Sequence, residues 1–93
     1  MSAENHEQET RVAIIGIIVE SEADTKKLNE LLSQYGEYII GRLGLPYRKR
    51  KINIISIVLD APHDVISALS GKLGMQPHVS SKTIYSKTGA QEE

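Results

Sequence analysis

The stretch YIIGRLGLPYRKRK, residues 38–51, decides the fold. Read one way, Ile39-Ile40-Gly41-Arg42-Leu43-Gly44 is the G-x-x-G loop with which KH domains join two helices and clamp nucleotide backbone. Read the other way, it is a β-strand that carries two glycines and runs into a basic hairpin tip. The flanks choose between the two. Leu28, Leu31, Leu32 and Tyr35 recur at helical spacing, and Gly36 is placed to close that helix at C′, where glycine takes a positive φ without penalty. Glu37 to Ile40 therefore reads as extended chain. Pro46 stands where a helix following a KH loop would propagate. Residues 52–59, INIISIVL, form a β-branched run that suits a pleated surface. The spacing thus predicts a strand over 37–45 and a turn over 46–51. Glycines inside that strand mark a bulge, or a place where a ligand or another backbone comes close.

Outward from this stretch the other elements fall into order. Residues 11–20, RVAIIGIIVE, read as a strand. Ser21, with Asp24 three positions on, resembles a capping box in which Asp replaces the usual Glu or Gln. Asp60-Ala61-Pro62 ends the third strand. Pro62 is suited to a first helical position and Asp64 to the positive end of the helix dipole. Val65, Ile66, Leu69 and Leu73 give the second apolar stripe, and Gly74 closes it. Gly71-Lys72-Leu73-Gly74 lacks the full phosphate-loop pattern and reads as a helix end with Lys72 on the negative pole. Residues 79–85, VSSKTIY, are polar enough for an edge strand. The order β-α-β-β-α-β predicts an α+β, ferredoxin-like sandwich, with a four-stranded antiparallel sheet and two helices on one face.

The chain has 93 residues, a net charge of −1 and no cysteine. One domain is expected over 11–86, between polar stretches at 1–10 and 87–93 that read as flexible tails. The missing cysteine excludes disulfides and thiolate metal sites. No basic segment followed by an apolar one marks a secretory signal, and no apolar run approaches the about 20 residues that span a bilayer. A soluble, cytoplasmic protein is expected. The balanced charge does not fit a general phosphate-backbone binder.

The first and third strands do not alternate apolar with polar residues. Val12, Ile14 and Ile18 oppose Ala13, Ile15, Ile17 and Val19, and Ile52, Ile54 and Val58 oppose Ile55, Ile57 and Leu59. A two-layer sandwich covers one face of its sheet, and a one-sided antiparallel sheet should alternate. A second copy is the expected cover of the other face, with Ile14, Ile18, Ile54 and Val58 at a homo-oligomer interface.

Catalytic constellations are weak. Ser67, Ser70, His63, His78, Asp60 and Asp64 have no nucleophile elbow around them. The glycine-rich anion loop and arginine of acylphosphatases have no counterpart after the first strand. RNA-recognition domains of this fold stack bases on sheet aromatics, and this chain has neither Phe nor Trp. The ligand-binding candidates are Gly41, Arg42, Gly44, Tyr47 and Arg48, where two arginines, set among the glycines and Tyr47, are suited to an anion. Arg48-Lys49-Arg50-Lys51 reads first as a solvated tip that discourages edge pairing. The alternative is a nucleic-acid contact through 48–51.

The segments RVAIIGIIVES, YGEYIIGRLGLPY, INIISIVLDAPHDVISALSGKLG and VSSKTIYSK resemble the iron-only hydrogenase system regulators, a small family, over residues 10–87. GRLGLPY and DAPHDVISALSGKLG are the most specific blocks. The resemblance implies a ferredoxin-like fold similar to ACT domains and to the C-terminal domain of nickel-responsive repressors, association through the sheet, and a regulatory role. Two features of those relatives are not matched. The nickel site of the repressors uses histidines and a cysteine, whereas here His6, His63 and His78 share no spacing that aims two of them at one ion, so no metal site is expected. The glycine-bearing ligand loop of ACT domains is missing from Glu20-Ser21-Glu22-Ala23-Asp24. The polar stretch 1–10 holds no ribbon-helix-helix segment. The expectation is a non-catalytic regulatory module without a cofactor, sensing a small effector or binding a hydrogenase-related protein.

Overall fold

The computed structural model describes residues 9–87. Most of the two expected tails, and His6 with them, lies outside the described residues. The chain builds β1 (Arg11–Glu20), α1 (Thr25–Gln34), β2 (Ile39–Tyr47), β3 (Ile52–Ala61), α2 (His63–Gly74) and β4 (Val79–Tyr85), with single 3-10 turns at Gly36–Tyr38 and Arg48–Arg50. The sheet order is β2-β3-β1-β4 and every neighbouring pair is antiparallel. This is the ferredoxin-like arrangement, so residues 39–51 are strand and hairpin tip, not a helix-to-helix clamp.

The period-2 geometry of strands sorts the side chains. Ala13, Ile15, Ile17 and Val19 of β1 and Ile55, Ile57, Leu59 and Ala61 of β3 face the helices and are buried. They meet Leu28, Leu31 and Leu32 of α1, Tyr35 just after it, and Ile66, Leu69 and Leu73 of α2 in one core. The register Ile15↔Ile57 and Ile17↔Ile55 lines the apolar sets up across the strands. Two polar contacts tie the layers. Lys72 Nζ donates to Tyr35 Oη at 3.0 Å, joining α2 to the end of α1, and the Ser70 and Thr83 hydroxyls share a hydrogen bond of 2.5 Å between α2 and β4.

Several local expectations are corrected. The N-cap of α1 is Asp24, whose Oδ1 accepts the Lys27 N–H at 3.0 Å. Ser21 lies in the preceding turn and bonds Glu22 instead. A short acidic side chain is itself a good cap, so the helix starts one turn later than a capping box at Ser21 implies. Gly36 opens a 3-10 turn and no glycine takes a positive φ among the described residues; that conformation falls to Lys51 (φ 56) and His78 (φ 64). Pro62 is the N-cap of α2, one position before its first helical residue. The second strand begins later and runs further than 37–45. Its bulge sits at Ile40, beside Gly41.

Candidate functional site

Three cross-strand rows face the helices near the hairpin end of the sheet: Ile15–Ile57–Arg42, Ile17–Ile55–Gly44 and Val19–Asn53–Pro46. On β1 and β3 most of these positions are bulky and apolar. On β2 they are Arg42, Gly44 and Pro46, which supply little for a helix to pack on. A groove of about 460 Å³ is left between the first turns of α1 and the inner side of β2. Val19, Leu28, Pro46 and Ile55 supply its apolar surface, and Thr25, Asn29, Asn53 and Arg42 its polar groups. A Cβ built on Gly44 would meet nothing within 4 Å, so the absent side chain leaves space in the groove. Arg42 Nη2 donates to Asn29 Oδ1 at 3.0 Å, which fixes the guanidinium against α1. Among the described residues no carboxylate pairs with Arg42.

The five ligand-binding candidates do not converge. Strand alternation divides them. Arg42 and Gly44, two apart, line the groove. Gly41 pairs with Val58 and Tyr47 with Ile52, which places both on the opposite face. Arg48 belongs to the exposed 3-10 turn at the tip, with Lys49 and Arg50, and Lys51 closes it through its N–H to the Arg48 carbonyl at 3.1 Å. Sequence reasoning missed Thr25, Asn29 and Asn53. Asn53 carried a signal: it is the polar residue in the inward series Asn53, Ile55, Ile57, Leu59 and Ala61 of β3.

Among the described residues no helix lies over the opposite face of the sheet. Ile14, Ile18, Ile54 and Val58, the expected interface residues, all point there, with Val12, Leu43, Leu45, Tyr47 and Ile84. Ile14 is 42% and Ile18 44% exposed, and Leu43 and Ile84 are each 66% exposed. Two apolar rows cross this face, Ile84–Ile14–Val58 and Ile18–Ile54–Leu45, and the row between them, Lys82–Gly16–Ser56–Leu43, dips at its small central residues Gly16 and Ser56. Leu45 also borders the groove, so one edge strand touches both surfaces.

Several other polar and ring groups outside the groove contact one another. His63 stacks on Tyr85 with ring centroids 5.3 Å apart, and the Arg11 guanidinium lies 4.6 Å from the same ring while its Nη2 donates to the Ser86 carbonyl. Glu20, Glu22 and His78 bring ligating atoms within 4.8 Å of one another at an exposed end of the sheet. Counting histidines alone overlooks this group, because β1–β4 pairing places His78 beside Glu20. There His78 Nδ1 and Glu20 Oε1 stand 3.9 Å apart. The Tyr38 phenol is pushed above its ordinary range, first by its hydrogen bond to Glu37 and then by that carboxylate's charge, which keeps it neutral rather than activating it.

Fold and site together define a small ferredoxin-like α+β domain with helices on one face, a bare apolar sheet on the other and an open groove beside its edge strand. The sequence pattern of the TM1266-like family, described as "Iron-only hydrogenase system regulator, putative", matches residues 11–83, and the chain belongs to that family. Among solved structures it is similar to the uncharacterized protein TM1266 from Thermotoga maritima, with 42% identity and a TM-score of 0.82 over 85% of this chain and 100% of that one. No curated protein matches significantly. Among the described residues no helix is long and apolar enough to cross a membrane.

Proposed function

We propose that this chain is a non-catalytic, homo-oligomeric regulatory module of an iron-only hydrogenase system, which associates through its bare sheet face and takes a small effector in the groove between α1 and β2. The observation that carries the proposal is the bare face itself. Contiguous exposed apolar surface of this kind marks an interaction site in a folded protein. A face built from matching cross-strand rows suits a two-fold contact, in which the same patch serves both partners.

Strand β2 supplies the link between effector and assembly. Arg42 and Gly44 line the groove and Leu43 and Leu45 lie on the bare face, so a ligand that shifts this edge strand shifts both surfaces. An effector acts in this way only by favouring one assembly over another, through differential affinity. The basic tip at 48–51 stays solvated and outside this path.

Native mass spectrometry of gently purified protein tests the proposal. An oligomer is expected, with a retained small molecule wherever the effector is abundant in the producing cell. A monomer at micromolar concentration would end the assembly part of the proposal.

A further inference from the structure

We propose that the groove between α1 and β2 selects a small organic monoanion, a carboxylate with an apolar body, over neutral, cationic or zwitterionic molecules. This rests on the reading of the groove as the effector site and adds the chemistry of its ligand.

The charge of the site comes from Arg42, the one ionised side chain lining the groove. A guanidinium carries five N–H donors in a rigid planar fork. One of them is committed to Asn29 Oδ1 at 3.0 Å. That exposed bond lays the fork against α1 and leaves donors free for the two oxygens of a carboxylate, the pairing for which guanidinium geometry is best suited. With no carboxylate paired to Arg42 among the described residues, the cation is available without displacing an internal ion pair.

The rest of the lining narrows the class. Val19, Leu28, Pro46 and Ile55 form an apolar bed, and the open space over Gly44 gives a hydrocarbon body somewhere to lie. No acidic side chain lines the groove, so the ammonium of an amine or an amino acid would shed water without gaining an opposite charge, which is costly. A phosphate dianion would face a single cation where such groups are ordinarily held by several charged or backbone donors. A monocarboxylate with a short aliphatic or aromatic tail satisfies both halves of the site. The volume, about 460 Å³, falls within the range of small-molecule pockets.

The probes are 4-methylpentanoate and 3-phenylpropanoate, each beside its own primary amide, titrated into the full chain and followed by backbone amide NMR shifts. The acids are expected to shift Asn29, Arg42, Gly44 and Asn53 together and to bind about tenfold more tightly than the amides, as a charge-assisted pair should. Arg42→Ala is expected to erase that preference while leaving the spectrum folded. Gly44→Val is expected to block acid and amide alike, since its side chain occupies the groove and meets no backbone. Acid and amide binding equally well, or a preference that survives Arg42→Ala, would overturn the carboxylate assignment and leave the groove standing as a site. If neither probe moves the groove resonances up to its solubility limit, the groove reading falls along with the carboxylate. Binding that survives Gly44→Val would place the probes elsewhere and has the same consequence.

Discussion

Ile14 and Ile15 are neighbours in β1, chemically identical, and differently placed: one is 42% exposed and the other fully buried. The same contrast runs along β3, where Ile57 is fully buried and Ile54, three residues away, lies on the open face. The helices explain one side. α1 and α2 bring Leu28, Leu32, Ile66, Leu69 and Leu73 down on the Ile15–Ile57 face and seal it. The Ile14–Ile54 face has comparable side chains and, among the described residues, no layer above it. Apolar residues on one face are explained by folding. Equivalent residues on the other face have no such cover among the described residues, and the proposed second copy would supply it. The two faces should therefore respond differently to the same chemical insult.

The largest effect tests that contrast directly. Ile57→Asp places a charge in a sealed core, where no partner can neutralise it, and is expected to abolish folding. Ile54→Asp places the same charge on the open face and is expected to leave a folded monomer. Circular dichroism reads the fold, and light scattering after size exclusion reads the mass. An Ile54→Asp protein that stays assembled would show that the bare face is not the interface. The milder pair separates the faces by magnitude. Ile57→Ala should cost about 2–5 kcal/mol, the range for a truncated core aliphatic. Ile14→Ala, measured at a dilution that dissociates any assembly, should cost about 1 kcal/mol or less, because the side chain there is already partly solvated. Chemical denaturation of both at the same dilution gives the two values.

How much of this could be read from residues follows from which interactions are local. The β-branched runs at 11–20 and 52–59 and the leucine stripes at 28–32 and 66–73 depend on periodicity, which is written along the chain. The sandwich and the division of β1 and β3 into two faces were legible for that reason. So was the unusual character of the second face, since it shows as a failure to alternate. The groove was not legible. Its parts come from β1, α1, β2 and β3, and proximity in sequence misled: Gly41 and Tyr47 belong to the same short motif as Arg42 and Gly44, yet the pleat and the bulge turn them to the opposite face. The cap of α1 was misplaced by one turn because Ser21 and Asp24 are both capable caps, and the chain's exit from β1 decides between them. That choice carries a smaller prediction. Asp24→Ala should destabilise by about 1 kcal/mol, and Ser21→Ala by less than about 0.5 kcal/mol, in thermal or urea melts. Equal losses would mean that both residues hold the entry to α1, and with it the wall of the groove.

A last, small effect sharpens the comparison most, because its two components have opposite signs. Gly16 sits in the middle of the bare face, between the apolar rows through Ile14 and Ile18. Its φ is not positive, and a Cβ there meets nothing within 4 Å. Within one chain Gly16→Val is therefore unstrained. It removes the entropic penalty of an interior strand glycine and should stabilise the isolated fold by about 0.5–1 kcal/mol. Between two chains the same methyl groups fill the dip at Gly16 and Ser56 that separates the apolar ridges. If a second copy seats its own ridge there, the added volume obstructs close packing and weakens association. The expected outcome is a higher melting temperature in the Ile54→Asp monomer background and a higher dissociation constant in the otherwise unchanged protein, the latter read by light scattering across a dilution series. A gain in both would mean that the dip at Gly16 stays open in the assembly, that the ridges alone carry the contact, and that Gly16 answers to the twist of β1 rather than to a partner.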